Sequence, residues 1–457
     1  MNAATDNAPQ KYFVNAVRIS GLWGVKDVHL RFDRKINFLI GPNGTGKTTV
    51  IRLLSGILRG DFREVIDVEF SKISVELRNV DQNASDAYTV AIEKKAAGKK
   101  GPGSLSVQVN KWGGSRPIIS EEIQSVADVG LMSLWQLSVP TAESPHMPLG
   151  SQRLRDFLSK VCYITWLSIH RADPKAKAYG DRSHDSAVEK HLADLQHRFR
   201  AYISEHNAMA KKQVKEFEKN IFLSLTGGSG FPKITPDFAS NISVPKYRDV
   251  IKHVLSSLEI PHEHYERNFD EFFRKAEISL AKLKGDPADD VLNMEDFFAL
   301  SSLFQAERIA DYWVAYQAEI EAINERKNAF LKILNDYLDP KKSYVGDDGS
   351  LMFYRIWAGL KDRRGDSRPN FSVFSPDELS SGEKQMVIFL METLLQDARP
   401  HIFIADEPEL SLHVTWQEKL IRSIIALNPA AQIIFATHSP DIVSEFDSYI
   451  IDMKEAV

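Results

Sequence analysis

The chain has 457 residues, 43% of them hydrophobic, and a formal net charge of −5. That length allows two or three domains with ordinary cores, and the mild acidity supplies no global basic field for tight, nonspecific nucleic-acid binding. A lone cysteine, Cys162, excludes an internal disulfide and reads as packing. With no signal-like N-terminus and no bilayer-length apolar run, a cytoplasmic protein with no membrane partner is expected.

In chain order, residues 1–10 are small and polar and are expected to be disordered. Phe13–Ile19 reads as a strand, followed by Gly21-Leu-Trp23-Gly24 and a second strand around Val28–Phe32. Ile36-Asn-Phe-Leu-Ile40 is a short apolar run of the right length for a buried strand. It enters Gly41-Pro42-Asn43-Gly44-Thr45-Gly46-Lys47-Thr48-Thr49, which satisfies G-x-x-x-x-G-K-[ST]. Its glycines let the backbone turn N–H groups toward phosphate oxygens, and a helix from Thr48 to about Leu58 presents its positive end to the same anion. Lys47 is expected to reach the β- and γ-phosphates, and the Thr48 hydroxyl to bind Mg²⁺.

Between Val65 and Lys111, the segments Ile73–Leu77, Tyr88–Ile92 and Leu105–Val109 alternate as antiparallel strands. The basic stretch Lys94–Gly103 reads as a solvated hairpin tip rather than a DNA contact. Residues 114–150 mix proline, glycine and short apolar pieces and receive no assignment. Arg153–Lys160 reads as a helix, and Tyr163–Ile169 as a buried strand ending in His170-Arg171. From about Ser186 to Asp339 the periodicity turns helical, over Ala187–Leu225, Tyr247–Leu258, Tyr265–Leu283 and Met294–Tyr337. Irregular heptads and frequent prolines favour a compact lid or short stalk over a long rod. A DNA clamp and an oligomerisation or partner-docking module fit the same pattern.

Strands return at Leu351–Trp357 and Phe371–Phe374, around the basic stretch Lys361–Arg368. Leu379-Ser380-Ser381-Gly382-Glu383-Lys384-Gln385 precedes an apolar helix from Met386 to about Leu395. The serines suit an N-cap, and the same hydroxyls and N–H groups suit an anion. Ile402–Ala405 is a strand ending in Asp406-Glu407, acids at the strand end where α/β sheets bind ligands. Asp406 is expected to hold Mg²⁺ and Glu407 to polarise an attacking water. Ile433–Ala436 ends in Thr437-His438-Ser439, which points His438 toward the γ-phosphate.

Together, GPNGTGKTT, LSSGEKQ, FIADEPELSLH and ATHSP resemble the ATP-binding-cassette ATPases, in the SMC, RecF and OLD-like branch of AAA ATPases. The likeness covers about the first 60 residues and the last 90. It implies an α/β head, a P-loop core sheet with an antiparallel β subdomain, carrying a large all-helical insertion. The lobes would be residues 11–180 and 346–457, with the insertion at 181–345. By this resemblance Ser380, Ser381 and Gly382 form a signature motif that acts in trans on ATP and Mg²⁺ held by another subunit's Lys47. Glu407 is similar to the hydrolytic glutamate, His438 to the switch histidine, and Glu409–His413 to the D-loop. Trp23 and Arg18 stand where a residue packs on adenine, and each reads equally well as structural. A Q-loop glutamine is not identifiable, since Gln152 precedes its strand.

Five residues follow Asp452, too few for a Toprim domain, so no intrinsic nuclease is expected. The layout resembles the ATPase subunit of two-gene phage-defence systems, the PARIS type with a Toprim nuclease partner and the Septu type with an HNH one. That resemblance implies a homo-oligomer with ATP between heads, a phage protein as trigger and a separate effector nuclease. The alternative is a RecF- or SMC-like repair ATPase that binds DNA directly; whether nucleic acid is touched stays open. A transporter ATPase fits the insertion poorly.

Overall fold

The computed structural model describes residues 12–80, 86–95, 104–124, 151–168, 187–225, 242–284, 292–357 and 370–456. The expected disorder of residues 1–10, most of the basic stretch at 94–103, His170-Arg171 and Lys361–Arg368 lie outside these residues.

The chain opens with β1 (Tyr12–Leu22), β2 (Lys26–Arg31) and β3 (Ile36–Ile40), then α1 (Lys47–Arg59) and the short α2 (Arg63–Ile66). Strands β4 (Lys72–Asn79), β5 (Ala87–Lys95), β6 (Ser104–Lys111) and β7 (Ile119–Gln124) follow. After α3 (Gln152–Val161) and β8 (Tyr163–Ser168) come four helices: α4 (Ala187–Leu225), α5 (Val244–Ser257), α6 (Glu266–Lys284) and α7 (Met294–Leu338). Then β9 (Lys341–Val345), β10 (Leu351–Trp357) and β11 (Asn370–Phe374) lead to α8 (Ser381–Leu394). The last elements are β12 (His401–Asp406), α9 (Val414–Leu427), β13 (Ala431–Ala436), α10 (Pro440–Val443) and β14 (Ile450–Asp452).

These strands form three sheets: a five-stranded one in the order β14-β3-β13-β12-β8, a six-stranded one in the order β2-β1-β4-β5-β6-β7, and β11-β10-β9. All pairings in the first are parallel, and all in the others are antiparallel. A parallel sheet is covered on both faces, which is why β12 and β13 read as uninterrupted apolar runs and are buried almost throughout. The antiparallel strands β4 and β6 alternate buried and partly exposed residues, as one-sided sheets do. The α/β head expected from the resemblance is thus present, with a P-loop core sheet, an antiparallel β subdomain and a helical insertion.

Two compact units are formed, one from residues 1–200 with 329–457, the other from 201–328. In the first, Leu39, Val50, Leu54, Ile57, Ile404 and Ile434 join the antiparallel strands in one core that includes Cys162. Burial pushes the Cys162 thiol up to about 12, so it packs as a small apolar group. The roots of α4 and α7 belong to this unit: Arg198 pairs with Glu392, and the Tyr337 hydroxyl meets Ser423 Oγ at 2.9 Å. In the second unit Phe273, Ala276, Leu280, Leu300 and Leu303 form a core of their own.

Three elements depart from the sequence reading. Helix α8 begins at Ser381, five residues before the apolar run, because Glu383 caps the Ser380 N–H at 2.8 Å and extends the helix through polar residues. Strand β7 was not expected, and β9 was not separately delimited. Lys94, assigned to a solvated tip, instead donates to the Ile66 and Val68 carbonyls at 2.6 and 2.9 Å.

Candidate functional site

Register assembles the site. Leu39 of β3 lies level with Ala436 of β13, and Ala436 with Asp406 of β12. The phosphate-loop sequence, Thr437-His438 and Asp406-Glu407 therefore leave three adjacent parallel strands at one carboxyl edge, where the loops converge. A cleft of about 380 Å³ opens there, lined by Trp23, Asn43, Gly44, Gly46, Lys47, Thr48, Thr49, Glu407 and His438.

Lys47 is buried, and its Nζ donates to the Gly41 and Pro42 carbonyls at 2.6 and 3.1 Å. Burial pulls its ammonium below the ordinary lysine range, against the opposing attraction of Glu407, Asp406 and Glu409. The side chain is therefore curled within its own loop, with carbonyl partners that an anionic ligand would outbid. No side chain caps the N-terminus of α1, which leaves its first N–H groups for an anion. Gly46 has φ 99°, and a Cβ there would stand 2.9 Å from Trp23 Cη2. Only glycine fits both the turn and the indole lying against it. Trp23, at φ 54°, holds a strained backbone at the cleft wall.

The Thr48 hydroxyl donates to Asp406 Oδ1 at 3.0 Å. Two hard oxygen ligands from separate elements thus meet beside Lys47, and this donor set suits Mg²⁺. Glu407 follows at φ 51°, its N–H held by the Ala436 carbonyl at 2.8 Å. That left-handed turn swings its carboxylate out of the strand direction and into the cleft lining.

Five sequence-read residues fall elsewhere or act differently. Arg18 does not line the cleft; it sits exposed on β1 with its Nε against His29 Nε2 at 3.3 Å. Thr45 shapes the loop, donating its hydroxyl to the Pro42 carbonyl at 2.9 Å. Ser380 and Ser381 are exposed at the start of α8, away from their own chain's cleft lining. Gly382 is buried, and a Cβ there would stand 2.3 Å from the Ser411 carbonyl oxygen, so the close approach of α8 to the 407–412 turn demands glycine.

Sequence reasoning missed how that turn is held. Gln385 of α8 donates to the Pro408 carbonyl at 2.9 Å. Gln417 of α9 donates to the Leu412 carbonyl at 2.9 Å and accepts from Ser439 Oγ at 2.6 Å. Both glutamines stand among helix residues whose pattern says nothing of their partners, so no sequence signal could have found them.

Two family models match. One, described as "AAA domain", matches residues 16–144, which carry Lys47 and Thr48. The other, described as "AAA domain, putative AbiEii toxin, Type IV TA system", matches residues 263–444, which carry Asp406, Glu407 and His438. No curated protein matches. Among solved structures, the Smc head domain of Pyrococcus furiosus, bound to the C-terminal domain of ScpA, is 13% identical with a TM-score of 0.41. That alignment covers 95% of this chain and 91% of that one. The Smc head of Pyrococcus yayanosii with a coiled coil and joint is 14% identical, with a TM-score of 0.37 and coverage of 95% and 93%. Scores this low carry no weight in assigning the fold, which rests on the strand order and register above. The two AAA matches and the cleft agree on a P-loop ATPase domain. Among the described residues, no helix is long and apolar enough to cross a membrane.

Proposed function

We propose that this chain binds Mg·ATP in the cleft at the sheet edge and hydrolyses it between two copies of itself. The observation that supports this most is the Thr48–Asp406 contact beside Lys47, with Glu407 and His438 lining the same cleft. Mg²⁺, when held by Thr48 and Asp406, would neutralise phosphate charge. The N–H groups of the Gly44–Thr49 turn and the Lys47 ammonium bind and orient the β- and γ-phosphates, and Trp23 offers a flat apolar wall. Glu407 accepts a proton from the attacking water, and His438 meets the γ-phosphate from the end of the neighbouring strand. Ser380 and Ser381, exposed at an α-helix N-terminus, complete the pocket of a second copy.

The mixing experiment tests the shared site. Lys47→Ala and Ser380→Arg should each be inactive alone. A mixture should recover a fraction of wild-type turnover, because mixed dimers contain one intact composite site. Recovery absent at every ratio, with both proteins folded, would rule out the composite site.

At the finer level, the chain is the ATPase subunit of a phage-defence complex that controls a separate nuclease, of the PARIS type with a Toprim partner. The match to a model whose description names the AbiEii toxin and a Type IV TA system supports a defence role. Co-purification from the native host should bring down a nuclease, and Glu407→Gln should abolish protection in a phage plating assay. Turnover stimulated severalfold by DNA alone, with no nuclease recovered, would select the repair-ATPase alternative.

A further inference from the structure

The turn after β12 contains one acid that neither holds metal nor polarises water in the scheme above. Glu409 is 9% exposed, three residues beyond Asp406. Its Oε1 accepts the backbone N–H of His438 at 2.7 Å and that of Ser439 at 3.2 Å. Its Oε2 is buried with no hydrogen-bond partner among the described residues. A side chain sealed in this way, with one oxygen unserved, is held by the bonds that its other oxygen accepts. Here it gathers two N–H groups where the chain leaves β13, in charge-assisted bonds. Thr437 just before is pinned to the Leu39 carbonyl at 3.2 Å, and Ser439 just after is tied through its hydroxyl to Gln417. Between those ties the backbone of His438 is held by Glu409, while its exposed ring lines the cleft.

We infer that Glu409 is a positioning residue: it fixes the His438 backbone so that the imidazole faces the γ-phosphate position. This inference rests on the ATPase reading of the same cleft. Glu409 itself touches no reacting atom in that reading.

Three variants separate charge, reach and packing. Glu409→Ala removes the acceptor and should lower kcat at least about tenfold while leaving KM for ATP within about threefold. Glu409→Gln keeps an oxygen at the same reach and should recover to within about threefold of wild type. Glu409→Asp keeps the charge but shortens the arm, and should behave like the alanine variant; it carries the test if alanine does not fold. Combined with His438→Ala, Glu409→Ala should add nothing further, because both act through one imidazole. Independent, multiplying losses, or a Glu409→Ala kcat within twofold of wild type, would overturn the assignment. A readout free of turnover distinguishes the two layers. The His438 ring resonance of histidine-labelled protein, identified by its loss in His438→Asn, should move or broaden in Glu409→Ala and return in Glu409→Gln. If wild type turns over no ATP, the ATPase reading fails while the ring resonance still decides this one; an unmoved resonance sinks it.

Discussion

In the parallel sheet, β12 and β13 bury side chains on both faces, and polar groups emerge only where the strands end. In the helical unit at 201–328 burial is confined to stripes: Phe273 is fully buried, while Phe222, Phe297 and Phe298 are 67, 45 and 62% exposed. The same residue type therefore lies at the centre of one surface and on the outside of another. A doubly covered sheet concentrates its chemistry at one edge, whereas a helix distributes polar and apolar groups along its length. This difference suits the sheet edge to a fixed chemical task.

The widest separation between the two regions should come from the cleft itself. Lys47→Ala should abolish ATP binding by calorimetry, and Glu407→Gln should bind ATP normally while losing about 10²–10³ in kcat. Neither variant should change the melting of the helical unit, since both residues belong to the other compact unit. A Glu407→Gln protein that hydrolyses at the wild-type rate would remove Glu407 from its role.

Matched core deletions sharpen the contrast. Phe273→Ala in the helical unit and Phe389→Ala in the head each empty a fully buried site and should cost about 3–5 kcal/mol. Phe389 meets Phe403 edge to face at 6.1 Å and Phe435 at a tilt at 6.4 Å, on the strands that lead into Glu407 and His438. Its loss should therefore depress turnover together with stability. Phe273→Ala should lower only one of two transitions in a denaturant titration and leave ATP affinity intact. A single shared transition shifted equally by both variants would show that the units do not unfold separately.

What the sequence made legible follows the same division. Ile36–Ile40, Ile402–Ala405 and Ile433–Ala436 were readable as strands because both faces are buried, and the acids and histidine after them stood out against apolar runs. Strand β7, Ile119-Ser120-Glu121-Glu122-Ile123-Gln124, has too few apolar residues to announce itself; it is a strand because it pairs with β6 at a sheet edge, where charge is favoured. The part played by Glu409 was illegible for another reason. Its partners, the His438 and Ser439 N–H groups, are backbone atoms of a distant loop that no side-chain pattern reports.

Buried charge gives the next contrast, and here the signs oppose. Glu392 on α8 is raised by burial, but hydrogen bonds and attraction from His191 and Arg198 outweigh that and hold it below the usual glutamate range. A depressed carboxyl contributes stability above its unfolded pKa of about 4.3 and loses it as pH falls through the folded value. Glu392→Gln should cost about 1–3 kcal/mol at neutral pH, with the deficit shrinking as both proteins are taken below about pH 4. Urea titrations across that range measure it. A deficit independent of pH would mean that packing, rather than charge, makes up the loss.

Glu307 on α7 is the counterpart in the helical unit, and its effect should be the smallest. Burial raises its carboxyl above the usual range; the hydrogen bond from the Tyr247 hydroxyl, at 3.0 Å, opposes this, and Asp311 adds to it. The sign is reversed: a carboxyl raised on folding favours the folded state below the unfolded pKa, and that contribution disappears as pH climbs through the folded value. At neutral pH the native state therefore carries a half-buried charge at some cost. Glu307→Gln keeps an oxygen for the Tyr247 hydroxyl and drops the charge, so it should stabilise the helical unit by up to about 1 kcal/mol at pH 7 and do nothing near pH 4. Opposite signs for glutamine at 392 and at 307, read in one pH series, would show that cations outweigh burial at Glu392, whereas burial outweighs the Lys246 attraction at Glu307. Matching signs would mean that the two regions handle buried charge alike.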